Sequence, residues 1–253
     1  MRIDINADVG ESFGHYIVGE DQALFKVITS ANIACGFHAG DFTVMNKTVK
    51  AAKENHLSVG AHPGFPDIQG FGRRDISMSG AEVYEMVVYQ IGALQAFCHI
   101  HQVELSHVKP HGALYNISAN DATFARAIAK AVFDIAPKAI LFGLCNSQLL
   151  EEGNNIGLKT AGEAFADRRY DDTGRLVHRS HPNAVLTQFK DIEKQVENIV
   201  MKKQVETCSG KIIELNADTL CFHGDGRNVV ENVQKTRKIL EAKNVKVAPL
   251  EMV

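Results

Sequence analysis

Ionisable and amide side chains recur in this chain directly after short apolar runs, at points where predicted strands end. In residues 32–41, NIACGFHAGD, an apolar run leads into a glycine turn, and His38 and Asp41 follow. Comparable positions elsewhere carry Asn6, Asp8, Glu11, His62, Lys109, His111, Glu163, His223 and Asp225. Imidazoles and carboxylates that converge can bind a divalent metal ion, or they can transfer protons without one. The spacing leaves both chemistries open, because the sequence has no H-E-x-x-H or similar metal motif.

The histidines among these residues also have a purely structural interpretation, since a single histidine on a strand is most often structural. Four separate strands, however, are each followed by one: His38, His62, His111 and His223. This recurrence predicts that at least two of the four are functional. Asp41 is placed to cap the helix that follows it. The other seven histidines, which include His107 and His178, are expected on the surface.

Asp8 and Lys109 are harder to explain as structural or surface residues. Asp8 ends an apolar strand, where an unpaired carboxylate would be costly to bury. Lys109 precedes Pro110 in VKPHG and would be poorly placed for simple solvation. Both are therefore predicted to act in a site.

The elements that must position these residues alternate between strands and helices. Apolar runs predict strands at residues 2–8, 31–36, 57–63, 106–112, 139–144, 158–165, 219–225 and 245–250. Helical spacing predicts helices at 42–55, after a capping box of Ser79 and Glu82, and at 121–136, 189–203 and 228–242. The alternation indicates a parallel sheet covered by helices, in a single domain over residues 1–253. The length favours a closed β/α barrel, although a doubly wound open sheet also fits, because periodicity cannot show closure.

The carboxyl ends of parallel strands form the ligand site in α/β folds, so the residues at these ends are predicted to share one mouth. Two long segments fit no repeat and are predicted to be binding loops or lids. Residues 64–75 carry Arg73 and Arg74 within GFGRR, which could hold an anion. Residues 166–183 carry Arg168 and a predicted hairpin turn at 172–174. The sequence has no Walker-type phosphate loop and no G-x-S-x-G nucleophile motif.

The composition excludes several classes of protein. The 253 residues are 45% hydrophobic and carry a net charge of −3, which argues against a partner that is nucleic acid or a membrane surface. Acidic residues at the N-terminus and the lack of about 20 consecutive apolar residues argue against a signal peptide and a membrane span. A cytoplasmic protein is expected. The five cysteines form no C-x-x-C pair and are expected to be small buried hydrophobes.

Seven motifs at these positions resemble one known family. They are DINADVGES, NIACGFHAGD, GAHPGFPD, GFGRR, VKPHGALYN, EAFADRRY and FHGD, in order from residue 1 to about residue 250. Together they closely resemble the LamB/YcsF family, whose members are described as the A subunits of the bacterial ATP-dependent 5-oxoprolinase.

The resemblance implies a fold, an activity and partners. The fold would be a distorted seven-stranded parallel β/α barrel, akin to glycoside hydrolases and polysaccharide deacetylases. The activity would be cleavage of 5-oxo-L-proline to L-glutamate, coupled to hydrolysis of ATP to ADP and phosphate. The partners would be 5-oxoprolinase subunits B and C, and this chain alone is not expected to sustain the reaction.

Convergence on one barrel end suggests roles for the residues in this chemistry. The predicted catalytic residues are Asp8, His38, His62, Lys109, His111 and Glu163. The predicted substrate-binding residues are Asn6, Glu11, Arg73, Arg74, Arg168, His223 and Asp225. If a divalent metal ion is bound, its predicted ligands are Asp8, His38, His62 and His111. Two other functions remain open: a stand-alone metal-dependent amidohydrolase or deacetylase, and a non-catalytic component that binds a small acid.

Overall fold

The computed structural model describes residues 1–223 and 228–252 of the chain. Its strands are β1 (Arg2–Val9), β2 (Ser30–Ala34), β3 (Ser58–His62), β4 (Leu105–Val108), β5 (Ile140–Leu144), β6 (Thr160–Phe165), β7 (Gln204–Glu206), β8 (Ile212–Glu214), β9 (Thr219–Phe222) and β10 (Lys246–Val247). Its helices are α1 (Asp21–Leu24), α2 (Phe42–Glu54), α3 (Gly80–His101), α4 (Gly112–Ser118), α5 (Ala122–Ile135), α6 (Gln148–Asn155), α7 (Phe189–Lys202) and α8 (Val229–Ala242). Among these described residues, no helix is both long and apolar enough to span a bilayer.

Seven parallel strands close into a barrel in the order β1-β2-β3-β4-β5-β6-β9. The ring closes because β9 pairs with both β6 and β1, with Thr219 opposite Asp4 in the second pairing. The predicted closed barrel is therefore confirmed, and the open sheet is excluded. The strand predicted at 245–250 is the two-residue β10, which pairs only with Arg2 and Ile3 of β1. The antiparallel hairpin of β7 and β8 lies outside the barrel sheet and was not predicted.

Local signals in the sequence set where the covering helices begin. Asp41 caps α2 by accepting a hydrogen bond from the Val44 amide at 2.8 Å. Ser79 and Glu82 form the predicted capping box at the start of α3. Each cap satisfies amide groups that lack partners at a helix N-terminus. Helices so fixed pack their apolar faces on the outside of the barrel.

Strand β1 is buried on both faces, but the two faces differ in chemistry. Ile3, Ile5, Ala7 and Val9 belong to the apolar layer between strands and helices. Asp4, Asn6 and Asp8 alternate with them and are also buried, since successive side chains of a strand point to opposite faces. Their hydrogen bonds run to polar residues of other barrel strands. The barrel is therefore filled with polar side chains, and this column leads to the carboxyl ends of the strands.

Candidate functional site

A cavity of about 230 Å³ opens at the carboxyl ends of the barrel strands. Seven of the residues predicted from the sequence line it: Asp8, His62, Arg73, Lys109, His111, Arg168 and His223. Asn6 and Glu163 lie just beneath the cavity, within hydrogen-bonding distance of the Lys109 ammonium. The predicted convergence of strand ends on one mouth is thus observed.

Lys109 is the electrostatic centre of the cavity floor. Its ammonium lies 3.0 Å from Asp8 Oδ1, 2.9 Å from Glu163 Oε1 and 3.1 Å from Asn6 Oδ1, and the side chain is 2% exposed. Burial alone would lower the pKa of Lys109, but Asp8, Cys221 and Glu163 raise it well above its usual range. Burial would likewise raise the pKa of Asp8, but His62 and Lys109 hold it well below its usual value. Lys109 therefore stays charged and is suited to bind an anion rather than to act as a nucleophile.

Amides deeper in the barrel fix the orientation of these charged groups. Asn6 Nδ2 donates to Glu163 Oε1 at 2.9 Å and to Thr219 Oγ1 at 2.7 Å. Asn6 Oδ1 accepts from Lys109 and, at 2.7 Å, from Asn32 Nδ2. All the hydrogen-bonding capacity of this amide is used. Asn6, Lys109 and Glu163 consequently form one rigid unit.

The prediction that His107 lies on the surface is wrong. His107 is buried on β4, stacks on Phe142 with 4.3 Å between ring centroids, and donates from Nε2 to Asn32 Oδ1 at 2.7 Å. Gly60 on β3 makes room for it, because a Cβ there would lie 2.1 Å from His107 Nε2. The two-residue spacing to Lys109 was the available signal, since it puts both side chains on the inner face of the strand.

Three imidazoles lie together beside Asp8 and Glu11. His111 Nδ1 is 2.9 Å from His62 Nε2, and the His38 ring stacks on His111 at 3.7 Å. His38 Nε2 lies 3.3 Å from a Glu11 carboxylate oxygen. Burial, and then the neighbouring imidazoles, lower the pKa values of His38 and His111 well below the usual range. Both rings are therefore neutral and can act as metal ligands or as hydrogen-bonding groups.

This group of residues could hold a divalent metal ion. One ligand atom from each of Glu11, His38, His62 and His111 lies within 4.8 Å of all the others, and the four side chains are buried. Imidazole nitrogens and a carboxylate oxygen are a common donor set for zinc and related metals. Asp8, which was predicted as a ligand, is adjacent, with Oδ1 3.3 Å from His62 Nε2. Glu11, predicted to bind substrate, is the carboxylate within this group.

Glycines in the loop after β3 allow the imidazoles to pack this tightly. A Cβ at Gly64 would lie 2.7 Å from His38 Nδ1. A Cβ at Gly72, whose φ is +62°, would lie 2.6 Å from His38 Cβ and 2.8 Å from His111 Cδ2. The glycine of GFGRR that touches the site thus fits against histidine rings.

The two arginines of GFGRR have different positions. Arg73 lines the cavity, with its guanidinium 4.9 Å from the Phe71 ring centroid. Arg74 forms an ion pair with Asp67, has a largely exposed side chain, and is absent from the cavity lining. Only the first of the two predicted binding arginines therefore faces the mouth.

The loop at 166–183 forms the outer wall of the cavity. Arg168, Arg175, His178 and Arg179 line it, so His178 belongs to the mouth although its side chain is exposed, as predicted. Arg168 is buried and donates to the Val177 carbonyl at 2.6 Å. Burial and the nearby Arg179 lower the pKa of Arg168 to about 10. The wall concentrates positive charge, which favours an anionic ligand.

The predicted hairpin turn in this loop is confirmed. The Gly174 amide donates to the Asp171 carbonyl at 3.0 Å, and Tyr170 pairs with Leu176.

Two further residues belong to the site without a predicted role. Asp167 binds His223 Nδ1 at 2.9 Å and orients its ring, which stacks on Phe165. Tyr115, in the first turns of α4, lines the cavity and is buried, but its hydroxyl has no hydrogen-bond partner. Its position four residues after His111 was the available signal, since that spacing is about one helical turn. Asp225, predicted to bind substrate, lies outside the described residues.

The sequence and fold are similar to those of characterised and solved proteins. A Staphylococcus aureus (strain MRSA252) protein, named as the A subunit of 5-oxoprolinase, is 51% identical over 250 residues, covering 99% of this chain and all of that protein. The crystal structure of a lactam utilization protein from Thermus thermophilus matches with a TM-score of 0.93 and 42% identity, covering 99% and 100% of the two chains. A GH113 β-1,4-mannanase matches with a TM-score of 0.52 and 9% identity, covering 96% and 100%, and shares the fold alone.

A family model agrees with these similarities over nearly the whole chain. The model of the LamB/YcsF family matches residues 3–253. The motifs that carried the resemblance in the sequence are the same segments that meet at the cavity and its walls. The chain therefore belongs to the LamB/YcsF family.

Proposed function

We propose that this chain is the A subunit of an ATP-dependent 5-oxoprolinase, which hydrolyses 5-oxo-L-proline to L-glutamate while ATP becomes ADP and phosphate. The observation that carries the proposal is the 51% identity, over its full length, to a protein named as the A subunit of 5-oxoprolinase. The site supports it, because a buried ammonium, neutral imidazoles and arginines line a cavity of a size that suits a small anion.

The chemistry of the lactam explains the need for ATP. An amide resists attack by water, and this five-membered ring closes again readily. Transfer of the γ-phosphoryl group of ATP to the lactam oxygen would activate the carbonyl carbon. Water then adds to that carbon, phosphate leaves with the former lactam oxygen, and the carbon–nitrogen bond breaks to give glutamate. The reaction needs a cation for the substrate carboxylate, donors for the developing oxyanion and a base for water.

The residues of the cavity can meet these needs. Arg73 and Arg168 bind the substrate carboxylate, and Lys109 faces the lactam oxygen as negative charge develops there. His62 accepts the proton of water at Nε2, because its Nδ1 already donates to the Lys109 carbonyl at 2.7 Å. Asp8, 3.3 Å from that nitrogen, stabilises the imidazolium that forms.

The remaining predicted residues support this arrangement. Glu163 and Asn6 hold Lys109 in place, His38, His111 and Glu11 surround His62, and His223 completes the cavity wall. Arg74 has no part in the proposal, because it pairs with Asp67 away from the cavity lining.

ATP and the partner subunits belong to the same proposal. The sequence contains no Walker-type phosphate loop. We therefore expect turnover to require subunits B and C, because the name of the relatives describes one component of a larger enzyme.

The test is glutamate release from 5-oxoproline and ATP by this chain, with and without subunits B and C. We expect turnover only in the full mixture. His62→Ala and Asp8→Asn should each lower its rate by at least about 100-fold, as expected for loss of a catalytic base or its charged partner. His99→Ala, on the exposed end of α3, is the matched control and should keep the full rate. Full activity in both site variants would disprove the assigned roles, and no turnover in any mixture would disprove the function.

One observation favours a second function, a metal-dependent amidohydrolase or deacetylase that acts alone. It is the group of Glu11, His38, His62 and His111. Such an enzyme would hydrolyse an amide without ATP and without partner subunits. The same assay, run on the isolated chain with zinc and without ATP, separates the two functions.

A further inference from the structure

The hydrogen bonds of His62 and His111 determine where each ring carries its hydrogen. His62 Nδ1 lies 2.7 Å from the Lys109 carbonyl oxygen, and His111 Nε2 lies 2.8 Å from the Phe71 carbonyl oxygen. A carbonyl oxygen only accepts hydrogen bonds, so both of these nitrogens must be protonated. In a neutral imidazole the other nitrogen then carries a lone pair. These other nitrogens, His62 Nε2 and His111 Nδ1, face each other at 2.9 Å.

Two lone pairs cannot face each other at this distance without a positive species between or beside them. Turning either ring by 180° does not help, because it replaces the nitrogen at the carbonyl with carbon and leaves a buried carbonyl without its partner. Such a loss costs about 1–3 kcal/mol per buried group. The pair therefore requires a cation, which is either one shared proton or a metal ion.

The surroundings of the pair favour a metal ion over a proton. A shared proton needs only the two facing nitrogens, yet His38 and Glu11 also bring ligand atoms to within 4.8 Å of them. His38 is 1% exposed, and its Nδ1 has no hydrogen-bond partner. Carbonyl acceptors on the far nitrogens are the usual outer contacts of metal-binding histidines, because they fix the tautomer that offers a lone pair.

The separation of the nitrogens fits shared coordination. Metal–nitrogen bonds of about 2.0–2.1 Å put neighbouring ligands roughly 3.0–3.4 Å apart, according to whether the shell is octahedral or tetrahedral. The His62–His111 separation of 2.9 Å is close to this range. Small side-chain movements would bring the other two ligand atoms to bonding distance.

We propose that Glu11, His38, His62 and His111 form a binding site for one divalent transition-metal ion, of which zinc is the best match to the donor set. A bound ion would polarise a carbonyl oxygen or a water molecule at the floor of the cavity. The proposal concerns metal binding by the isolated chain, so it can fail while the 5-oxoprolinase assignment holds, and the reverse.

The test measures metal directly rather than activity. The full chain is treated with a chelator, titrated with zinc in a calorimeter, and analysed for bound metal by mass spectrometry after dialysis. Cobalt(II) loading of the same protein gives an absorption spectrum that reports the ligand geometry. We expect one ion per chain and a d–d spectrum that zinc abolishes.

Variants locate the ion. Glu11→Gln, His38→Gln and His111→Gln should each weaken zinc binding by at least about 10-fold to 100-fold. His178→Gln, on the outer wall of the same cavity, is the matched control and should bind zinc as the wild type does. Circular dichroism of the metal-free variants establishes that they are folded. If a variant does not fold, the cobalt spectrum of the wild type still decides whether nitrogen and oxygen ligands surround the ion.

Three results would overturn the proposal. They are a stoichiometry well below one with zinc, cobalt and manganese, equal affinity in all four variants, and an imidazole NMR signal of a proton shared by His62 and His111 that persists with excess zinc.

Discussion

The two ends of the barrel interior both bury carboxylates but satisfy them in different ways. At the amino end, Asp4 accepts hydrogen bonds from the hydroxyls of Thr29 and Ser30 at 2.6 Å each, and from Thr219. At the carboxyl end, the two carboxylates Asp8 and Glu163 contact one ammonium, that of Lys109, and Glu163 Oε2 has no hydrogen-bond partner.

This difference separates a structural site from a reactive one. Neutral hydroxyls saturate Asp4 on the seam where β9 closes the barrel against β1, so that end has no bonding capacity left for a ligand. At the other end, opposite charges and a partly unpaired carboxylate are held in fixed positions around an open cavity. Such preorganised charge can bind a ligand without reorganising at the moment of reaction.

The largest effect is expected from Lys109→Met, which removes the cation from the carboxyl end. Asp8 and Glu163 would then be buried without the ammonium that both contact. Breaking a buried ion pair in this way costs about 3–5 kcal/mol, and turnover should fall by roughly 10²–10³-fold or more. Urea unfolding and glutamate release measure the two effects.

The double variant Lys109→Met with Glu163→Gln is the control for this experiment. Neutralising Glu163 should recover part of the lost stability but none of the activity. A Lys109→Met protein as stable as the wild type would mean that the carboxyl end is not electrostatically loaded.

A smaller loss is expected from Gly60→Ala, which tests the structural part of the interior. The new Cβ would lie 2.1 Å from Nε2 of the buried His107, so the ring or the strand must move. Overpacking of this kind costs about 1–3 kcal/mol in the free energy of unfolding. Gly92→Ala in α3 is the matched control, because its nearest new contact is an ordinary 3.6 Å to Ile135 Cδ1. Equal stability of the two variants would show that His107 is loosely held.

The barrel and its mouth could be predicted from the sequence because both depend on local patterns. Alternating apolar runs and helical spacings indicate strands and helices, and the caps at Asp41 and Ser79 set helix starts. Closure could not be predicted, because it depends on the pairing of β9 with β1, which are more than 200 residues apart. The hairpin of β7 and β8 was missed because strands of three residues have too little periodicity to detect.

The limits of the site prediction have a similar cause. Arg73 and Arg74 are neighbours with the same chemistry, and only the fold determines which of them faces the cavity. His107 was misplaced because a histidine on a barrel strand is polar in sequence but buried in a polar interior, which composition cannot reveal. Asp167 acts through His223, more than 50 residues away, so no short motif connects them.

The pH dependence of Asp4→Asn tests the amino end. Burial raises the pKa of Asp4 above its ordinary value of 3.8, although the hydroxyls of Ser30, Thr219 and Thr29 oppose this. The folded state therefore binds the proton more tightly than the unfolded chain does. The stability that Asp4 contributes is fully present below pH 3.8 and is lost as the pH rises through the raised pKa.

The asparagine variant lacks this titration. We expect it to be about 2 kcal/mol less stable than the wild type near pH 4, with a gap that narrows towards pH 7. Urea unfolding of both proteins across this range measures the gap. A gap that widens with pH would mean that the three hydroxyls outweigh burial and keep Asp4 ionised.

The smallest effect on stability is expected from Tyr115→Phe, which sharpens the comparison to one hydroxyl at each end. Thr219 Oγ1 accepts from Asn6 and donates to Asp4, so Thr219→Val leaves two buried groups short of a partner and should cost about 1 kcal/mol or more. The Tyr115 hydroxyl has no partner to lose, and its removal should change stability by less than about 0.5 kcal/mol.

Activity should rank these two variants in the opposite order. Burial and Glu163 raise the pKa of Tyr115 well above its usual range, so the hydroxyl stays protonated and can donate a hydrogen bond in the cavity. If substrate accepts that bond, Tyr115→Phe lowers kcat/KM by roughly 10-fold, as loss of one neutral hydrogen bond predicts. Thr219→Val should leave kcat/KM nearly unchanged at a temperature where it is folded. A Tyr115→Phe variant that loses stability but keeps its activity would place this hydroxyl with Asp4 among the structural groups, and the boundary between the two ends would move towards the mouth.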